Sequence, residues 1–567
     1  MQKILRTLII IAMLITSYLL ILAWRDDYAN VGSTVVSGAS PVAQSVSGND
    51  VPNANQTTLG STGSDVPVVA TKGVPAVQSA EPTEGLISVL TDKYDIRINP
   101  VGGDVVYTAL RNYNATLGSQ QPFVLLESDA NRVYVAQSGL IGRDGIDTTE
   151  GRAKYHSASQ QYVMKDTDNQ LVVPLTYEKD GVIITKTYTF TKGQYPIAVS
   201  YNINNPTGKG WQGQLYAQLK RDGSTDPGLA GKGMMSVATY LGGAWGTPAS
   251  PYNKLKFGNF NDGELKGSSD KGWVGMIQHY FVSAWVPQGY VANFYSRENA
   301  NEHIIGFTSN PVEVSDGKQL TLTTTLYAGP KVQDNLRPLA EGLDQTVDYG
   351  ILWPISKFLF WILDSVHKVI GNWGWAIIIL TLIVKIALMP IANKSYYSMA
   401  KMRAVAPRLQ ALKDEFGDDR MRMSQEMMKI YKEEKVNPMA GCLPIFLQMP
   451  IFLALYWVLV ESVQLRHAPW ILWIKDLSSM DPYFILPLLM GAAMFCQQAL
   501  NPQPTDPMQA KVLKFMPIIF TVFMLFFPAG LVLYWTVNNV FSMAQQYVIN
   551  KKVEKEQAKK EALKNLV

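Results

Sequence analysis

Hydrophobic and polar positions fall into three textures along this chain. The first is an uncharged apolar run from Thr7 to Trp24, preceded by Lys3 and Arg6 and followed at once by Arg25, Asp26 and Asp27. A run of about 18 residues is long enough to span a bilayer. Its end, Leu-Ala-Trp-Arg, offers no small-x-small exit, so residues 1–27 read as an uncleaved signal anchor, with a cleaved leader as the alternative. Lys3 and Arg6 hold the N-terminus in the cytoplasm and send the chain beyond the anchor outward. Residues 28–84, rich in Ser, Val, Gly, Thr, Pro, Asn and Ala, show no periodicity and read as a flexible periplasmic linker.

The second texture, residues 85–330, is a series of short alternating runs such as Tyr94 to Asn99, Leu171 to Glu178, Val182 to Thr191, Ile197 to Asn204 and Gln319 to Ala328. Turn residues separate them, Lys179-Asp180-Gly181 and Thr191-Lys192-Gly193 among them. Period-two strands with almost no helical stretch predict one large antiparallel β-sandwich. Residues 331–350 (Lys331, Asp334, Arg337, Glu341, Asp344) then read as a polar linker helix. From Ile351 to Ile370, apolar residues recur at helical spacing but Lys357, Asp364, His367 and Lys368 interrupt them, which suits an amphipathic helix lying in the outer interface within the 331–372 segment.

The third texture is a membrane bundle over 373–549. Apolar runs at about 373–392, 442–463 and 484–500 predict spans. The run from Phe515 to Ile549 would be about 52 Å long as one helix, against a hydrocarbon layer of ~30 Å. Pro528-Ala529-Gly530 divides it, giving spans at 515–527 and 531–548. With the anchor this makes six spans and an all-α five-helix core. Between the first two core spans, residues 393–437 carry two apolar stripes (Met399, Met402, Ala406, Leu409, Leu412, Phe416; then Met423, Met427, Ile430, Tyr431) around Gly417-Asp418-Asp419, a helical hairpin. Its methionines either fill its own seam or bind varied apolar partners, its basic face meeting ribosomal RNA or anionic lipid.

Charge tests this topology. The 393–437 segment holds ten Lys/Arg against seven Asp/Glu, and the 550–567 tail six Lys against three Glu, whereas 466–482 is balanced at two and two. Both termini inside satisfies the positive-inside rule; five spans would put the basic tail outside. Only 17% of residues are charged, against about 25% for a soluble domain, and the net charge is +4. That small excess argues against a nucleic-acid binder. Two cysteines, Cys442 and Cys496, exclude a disulfide scaffold or thiolate metal cage, and His156, His279 and His303 lie apart with no ligand spacing, so no enzyme site is expected.

The most informative residue is Lys385. It lies eight residues, about 12 Å, inside the cytoplasmic end of its span. A lysine at that depth costs a few kcal/mol unless it snorkels, pairs or faces water. Thr381, Gln448, Tyr534, Trp535 and Asn538 fall at compatible depths, while the intramembrane carboxylate Glu461 lies near the outer end of its span. Either Lys385 snorkels to the inner headgroups, or these groups line a wet cavity that attracts acidic segments.

Several ordered motifs carry a resemblance. Asn437-Pro438, Gly441-Cys442-Leu443-Pro444, the run Gln448-Met449-Pro450-Ile451-Phe452-Leu453-Ala454-Leu455-Tyr456, Asp481-Pro482-Tyr483, Ile485-Leu486-Pro487, Thr505-Asp506-Pro507-Met508-Gln509 and Phe527-Pro528-Ala529-Gly530-Leu531 closely resemble the YidC membrane protein insertases. The anchor, linker and sandwich resemble the Gram-negative form. The resemblance implies an inner-membrane insertase and chaperone whose hydrophilic groove opens to cytoplasm and lipid and is closed outside. Lys385 matches the groove cation, usually arginine in Gram-negative members; lysine keeps the charge without the bidentate fork. Thr381, Gln448 and Trp535 match groove-lining positions, and Leu443, Pro444, Met449, Phe520 and Phe523 match the slide past which a nascent segment moves into lipid. Implied partners are nascent membrane proteins, the Sec translocon, the ribosome, the signal recognition particle receptor and anionic lipids. No cofactor is implied, and no G-x-x-x-x-G-K-[ST] motif is present. The competing reading is a secondary transporter or channel with an intramembrane cationic site, although no internal repeat supports it. An anchored sugar-active enzyme would leave five further spans unexplained.

Overall fold

The computed structural model describes residues 85–148, 151–226, 239–261, 265, 267–299, 301–416, 419–434, 443–501 and 507–564. The anchor, the 28–84 linker, Asn437-Pro438, Gly441-Cys442 and Thr505-Asp506 lie outside the described residues. The chain divides after Thr346 into two compact units.

In the first unit, alternation of buried and half-buried positions along Val182–Thr191 and Pro196–Asn205 gives each strand one core face. These strands pair antiparallel, and Pro196–Asn205 pairs on its other edge with Lys318–Pro330. The turn at Asp180-Gly181 has φ of +52° and +81° between the paired residues Lys179 and Val182, the mirror-image turn that matches strand twist. The described strands form an eleven-stranded and a nine-stranded sheet. Their inner faces meet: Tyr94 Oη donates to the Tyr195 carbonyl (2.6 Å), Trp285 Nε1 donates to the Gln218 carbonyl (3.0 Å), and Phe123 stacks on Phe281. The expected sandwich is present, with one departure from a purely antiparallel pattern. Ile87–Leu90 pairs parallel with Gln161–Val163, a long-range pairing that no local turn signal announces.

The sandwich core holds charges. Arg152 bonds Asp104 through both Nη atoms (2.8 and 2.9 Å) and Asp147 through Nε (3.2 Å), all three side chains being almost wholly buried. Beside them Lys186 is fully buried, donates to the carbonyls of Gly102 (3.1 Å) and Ser138 (3.0 Å), and lies over the rings of Tyr188 and Tyr201. Burial pushes its amine down to about 7.

No polar helix spans 331–350. The chain makes a single helical turn at Gln333–Leu336 and a 3₁₀ turn at Leu343–Thr346. Pro338 cannot donate a helical hydrogen bond, and Gly342 adopts φ +81°, with no room for a Cβ against the Pro251 carbonyl. Lys331 and Asp344 are buried instead of lining a solvated helix face.

The second unit is helical. Helix α1 (Trp353–Ile370) starts with Pro in its first turn and ends on Gly371 at φ +73°, whose N–H bonds the His367 carbonyl. It buries Ser356, Leu359 and Leu363 and exposes Phe358, Trp361 and Val369. Then come α2 (Trp373–Phe416), α3 (Arg420–Glu433), α4 (Leu443–Glu461), α5 (Ile485–Leu500), α6 (Pro507–Met524) and α7 (Ala529–Lys564). Among the described residues α2 alone is long and apolar enough to cross a membrane; α4 and α5 carry shorter apolar runs, Phe446–Glu461 and Ile485–Leu500.

Two expected boundaries dissolve. The first span and the first arm of the hairpin are one 44-residue helix, about 66 Å long, running through Pro390 and Pro407. The last span and the basic tail are likewise one helix, and the helix before it begins at Pro507, taking in Lys511 and Lys514. The turn between them is held from the side: Ala529 N donates to Ser479 O (2.7 Å) and Gly530 N to Leu477 O (2.9 Å), satisfying orphan donors of the α7 N-terminus. Asp481 locks that loop by accepting from Trp473 Nε1 (3.0 Å), Tyr483 N (3.0 Å) and Leu486 N (2.7 Å).

Lys186 makes sandwich stability pH-dependent. Its folded pKa lies below the unfolded value of about 10.4, so from pH ~7 upward the unfolded chain carries the extra proton and stability rises with pH. Hydrogen-exchange protection of 133–141 and 182–191 in the full chain is expected to increase between pH 7 and 9.5, by up to about 1.4 kcal/mol per pH unit. Lys186→Met should flatten that rise.

Candidate functional site

Two halves of the second unit differ in chemistry. At one end Leu363 of α1, Ala376, Ile377 and Leu380 of α2, Leu455 and Val458 of α4, and Leu531 and Val532 of α7 form a buried apolar cluster. Farther along α7 the buried face turns polar: Tyr534, Asn538, Ser542, Gln546 and Asn550 recur every four residues, each nearly inaccessible.

Lys385 of α2 meets that ridge. Its Nζ donates to Ser542 Oγ (2.7 Å), and Ser542 Oγ donates its own proton to the Asn538 carbonyl (2.8 Å), leaving lone pairs for the ammonium. Among the described residues no carboxylate reaches Lys385. The two helices run parallel, as Asn393 with Gln545 (2.7 Å) and Tyr397 with Glu556 (2.6 Å) also show. On the adjacent side Gln448 Nε2 of α4 donates to Tyr534 Oη.

Several buried polar atoms beside these bonds lack partners, including Asn538 Oδ1, Trp535 Nε1, Asn539 Nδ2, Gln546 Oε1 and Asn550 Oδ1. Each orphan costs about 1–3 kcal/mol unless water or a ligand satisfies it. The lower part of the ridge also has a structural task. Gln546 Nε2 donates to Leu500 O (3.2 Å) and Asn501 Oδ1 (2.8 Å), and Asn550 Nδ2 donates to Leu500 O (3.4 Å), capping the C-terminus of α5.

Of the residues expected at the site, Lys385 and Asn538 meet through Ser542, and Gln448 meets Tyr534. Trp535 is packed between Phe452 (4.6 Å between centroids) and Phe520 (5.2 Å). Thr381 is set apart: it is fully buried and its hydroxyl donates to its own helix at Ile377 O (2.7 Å). Met449 and Phe523 are exposed, whereas Phe520 is partly buried against Trp535. Leu443 and Pro444 open α4; their side chains lie outside the described set. Sequence reasoning missed Ser542, Asn539 and Gln546. The signal for Ser542 and Gln546 was the four-residue recurrence of polar residues through an apolar stretch, which weighing Tyr534, Trp535 and Asn538 singly does not reveal; Asn539 lies outside that series.

Comparison with known proteins also divides the chain in two, between residues 362 and 365 within α1. Residues 86–362 match the model of the YidC periplasmic domain, and residues 365–557 that of the 60 kDa inner membrane protein. The chain is 47% identical to the membrane protein insertase YidC of Stutzerimonas stutzeri over 554 residues, covering 97% of this chain and 98% of that one. The chain belongs to the YidC family of membrane protein insertases. The Marinomonas sp. YidC is 48% identical over 551 residues, covering 96% and 98%. A crystal structure of an active YidC insertase with its first transmembrane domain resolved is 18% identical, covers 82% of this chain and 92% of its own, and superposes with a TM-score of 0.36. Membership in the YidC family makes this an inner-membrane protein whose class is insertase and not enzyme. His279 stacks on Tyr280, and His303 packs against Phe257 and Phe260.

The ridge separates stability from occupancy. Asn538→Leu, which removes an orphan oxygen, is expected to raise stability in detergent by about 1 kcal/mol. Gln546→Leu, which uncaps α5, should lower it by a similar amount. Thermal unfolding of the two variants measures both.

Proposed function

We propose that this chain inserts and helps fold newly made proteins in the inner membrane by giving their polar ends a hydrated half-path from the cytoplasm, ending at the apolar cluster below Tyr534. The observation that carries this is a half-buried ammonium that meets no carboxylate among the described residues and faces a ridge of orphaned amides. A buried charge is retained against a cost of several kcal/mol only if water or a transient counter-charge meets it.

In this reading α2, α4, α5, α6 and α7 are the five core spans, the signal anchor is the sixth, both termini are cytoplasmic and the sandwich is periplasmic. The basic excess of 393–437 and 550–567 supports that orientation. A substrate's exported tail enters from the cytoplasm, and its acidic or polar groups replace water at Lys385, Ser542 and Asn538. Attraction between unit charges at 4 Å is worth about 4 kcal/mol at an effective dielectric near 20. The tail then has only the apolar cluster left to cross. Its hydrophobic segment leaves sideways past Leu443, Pro444, Met449, Phe520 and Phe523 into lipid, a transfer favourable by roughly 25 cal/mol per Å² of apolar surface. Exposure of Met449 and Phe523 supports that exit. The α3 hairpin and the basic end of α7 are the surfaces for ribosome and signal recognition particle receptor, and the chain works alone or beside the Sec translocon.

Stalled nascent membrane proteins should crosslink to photoreactive groups placed beside Lys385; labelling by small solutes and never by nascent chains would favour a transporter. Lys385→Met is expected to slow insertion of substrates with acidic exported tails by about ten-fold, the equivalent of ~1.4 kcal/mol. Substrates with neutral tails should change little, and Lys385→Arg should restore most of the rate. An equal loss for all tails would refute the electrostatic role.

A further inference from the structure

Beyond Lys385 toward the basic ends of the helices, α2 and α7 part to leave an open cleft of about 630 Å³. Met389, Phe541, Ala544 and Val548 form its apolar wall; Lys394 and Lys552 stand at its rim. We propose that this cleft seats one anionic phospholipid of the cytoplasmic leaflet, an acyl chain against the apolar wall and the phosphate between the two lysines.

The order of chemistry along the helices supports this. It rests on the proposed function's placement of α2 and α7 across the membrane. Counted from Trp373, Met389 lies about 24 Å along α2 and Lys394 about 32 Å; counted from Ala529, Phe541 lies about 18 Å along α7, Val548 about 28 Å and Lys552 about 34 Å. The hydrocarbon layer is ~30 Å thick. The apolar lining therefore falls inside the hydrocarbon and both lysines fall at the headgroup edge. Along α7 the lining runs eleven residues from Phe541 to Lys552, about 17 Å, close to the ~15 Å depth of a single leaflet.

Among the described residues neither Lys394 nor Lys552 forms an ion pair. Glu556, one turn past Lys552, accepts the Tyr397 hydroxyl (2.6 Å) and keeps its charge at the cleft's edge, so the two lysines leave a net positive rim. Asn393 and Gln545 bond each other across the cleft (2.7 Å) and close its floor without supplying charge. Two cations flanking one apolar slot complement a phosphodiester carrying a fatty chain. A hydrophobic peptide would fill the slot and leave both lysines unanswered.

The test uses the full chain, delipidated in detergent and titrated by native mass spectrometry with phosphatidylglycerol or phosphatidylcholine. One phosphatidylglycerol per chain should bind in preference to phosphatidylcholine. The double variant Lys394→Gln, Lys552→Gln should weaken that binding about thirty-fold, the equivalent of about 1 kcal/mol for each of the two lysines. Ala544→Trp, which fills the slot without changing charge, should weaken it as well. Lys555→Gln with Lys559→Gln, farther along α7, should leave it unchanged. Equal binding of the two lipids, an equal loss in the Lys555/Lys559 variant, or displacement by inorganic phosphate would overturn the site. So would a photoreactive group at Val548 that labels a nascent chain in membranes and no phospholipid. Failure to retain either lipid would instead tell against α2 and α7 as spans, whereas equal retention of both tells against this site alone.

Discussion

Holding one ammonium group between packed helices is the constraint on which the membrane unit turns. Lys385 is answered by a serine oxygen and, among the described residues, by no carboxylate. That answer requires α2 and α7 to run parallel, with Ser542 facing Lys385 and its own proton already committed to the Asn538 carbonyl. It also requires the turn before α7 to be rigid, because a shift of one residue would rotate Ser542 by about 100° away from the lysine. The bonds from Ala529 and Gly530 to the 477–479 loop, with Asp481 locking that loop, supply the rigidity.

The first unit handles its buried basic groups differently. Arg152 is met by two aspartates in fork geometry, and Lys186 beside it by two carbonyls and aromatic faces. A paired buried charge that loses one partner typically costs 3–5 kcal/mol, so such clusters are built closed. Around Lys385 the cluster is open, and the amide and indole groups beside it lack partners as well. Incompleteness of this kind is costly in a site that only holds a fold together. It is expected where the missing partner arrives with the substrate.

How much was legible in the sequence depended on how local the cause was. The Asp180-Gly181 turn, the alternation of the strands and the α1 helix ending at Gly371 arise from chemistry within a few residues, and the structure has them where the pattern puts them. Lys385 stood out because charge is costly in an apolar run. The longer helices were misdivided, since Pro390 and the charges after it look like an end when flanking helices are unseen. The 331–350 segment looked solvated because Lys331 and Asp344 are charged, yet tertiary packing buries both. The parallel pairing of 87–90 with 161–163 left no mark at all, being a contact between strands far apart in sequence.

The apolar cluster and the polar ridge also explain each other. Ala376, Ile377 and Leu380 of α2 lie one to three turns before Lys385, and Leu531 and Val532 of α7 lie the same distance before Asn538 and Ser542, so both helices change from dry to polar at one level. A polar path through the whole bundle would need its hydrogen bonds satisfied at every depth and would leak ions. A path confined to one half needs far fewer, and the remaining apolar layer is thinner than a full bilayer. The barrier to a charged group falls steeply as that layer thins, because the desolvation cost is borne over less distance and water reaches it from both sides. In the proposed function, the packing that keeps the cluster dry closes the path, and the unpartnered polar groups of the ridge shorten it.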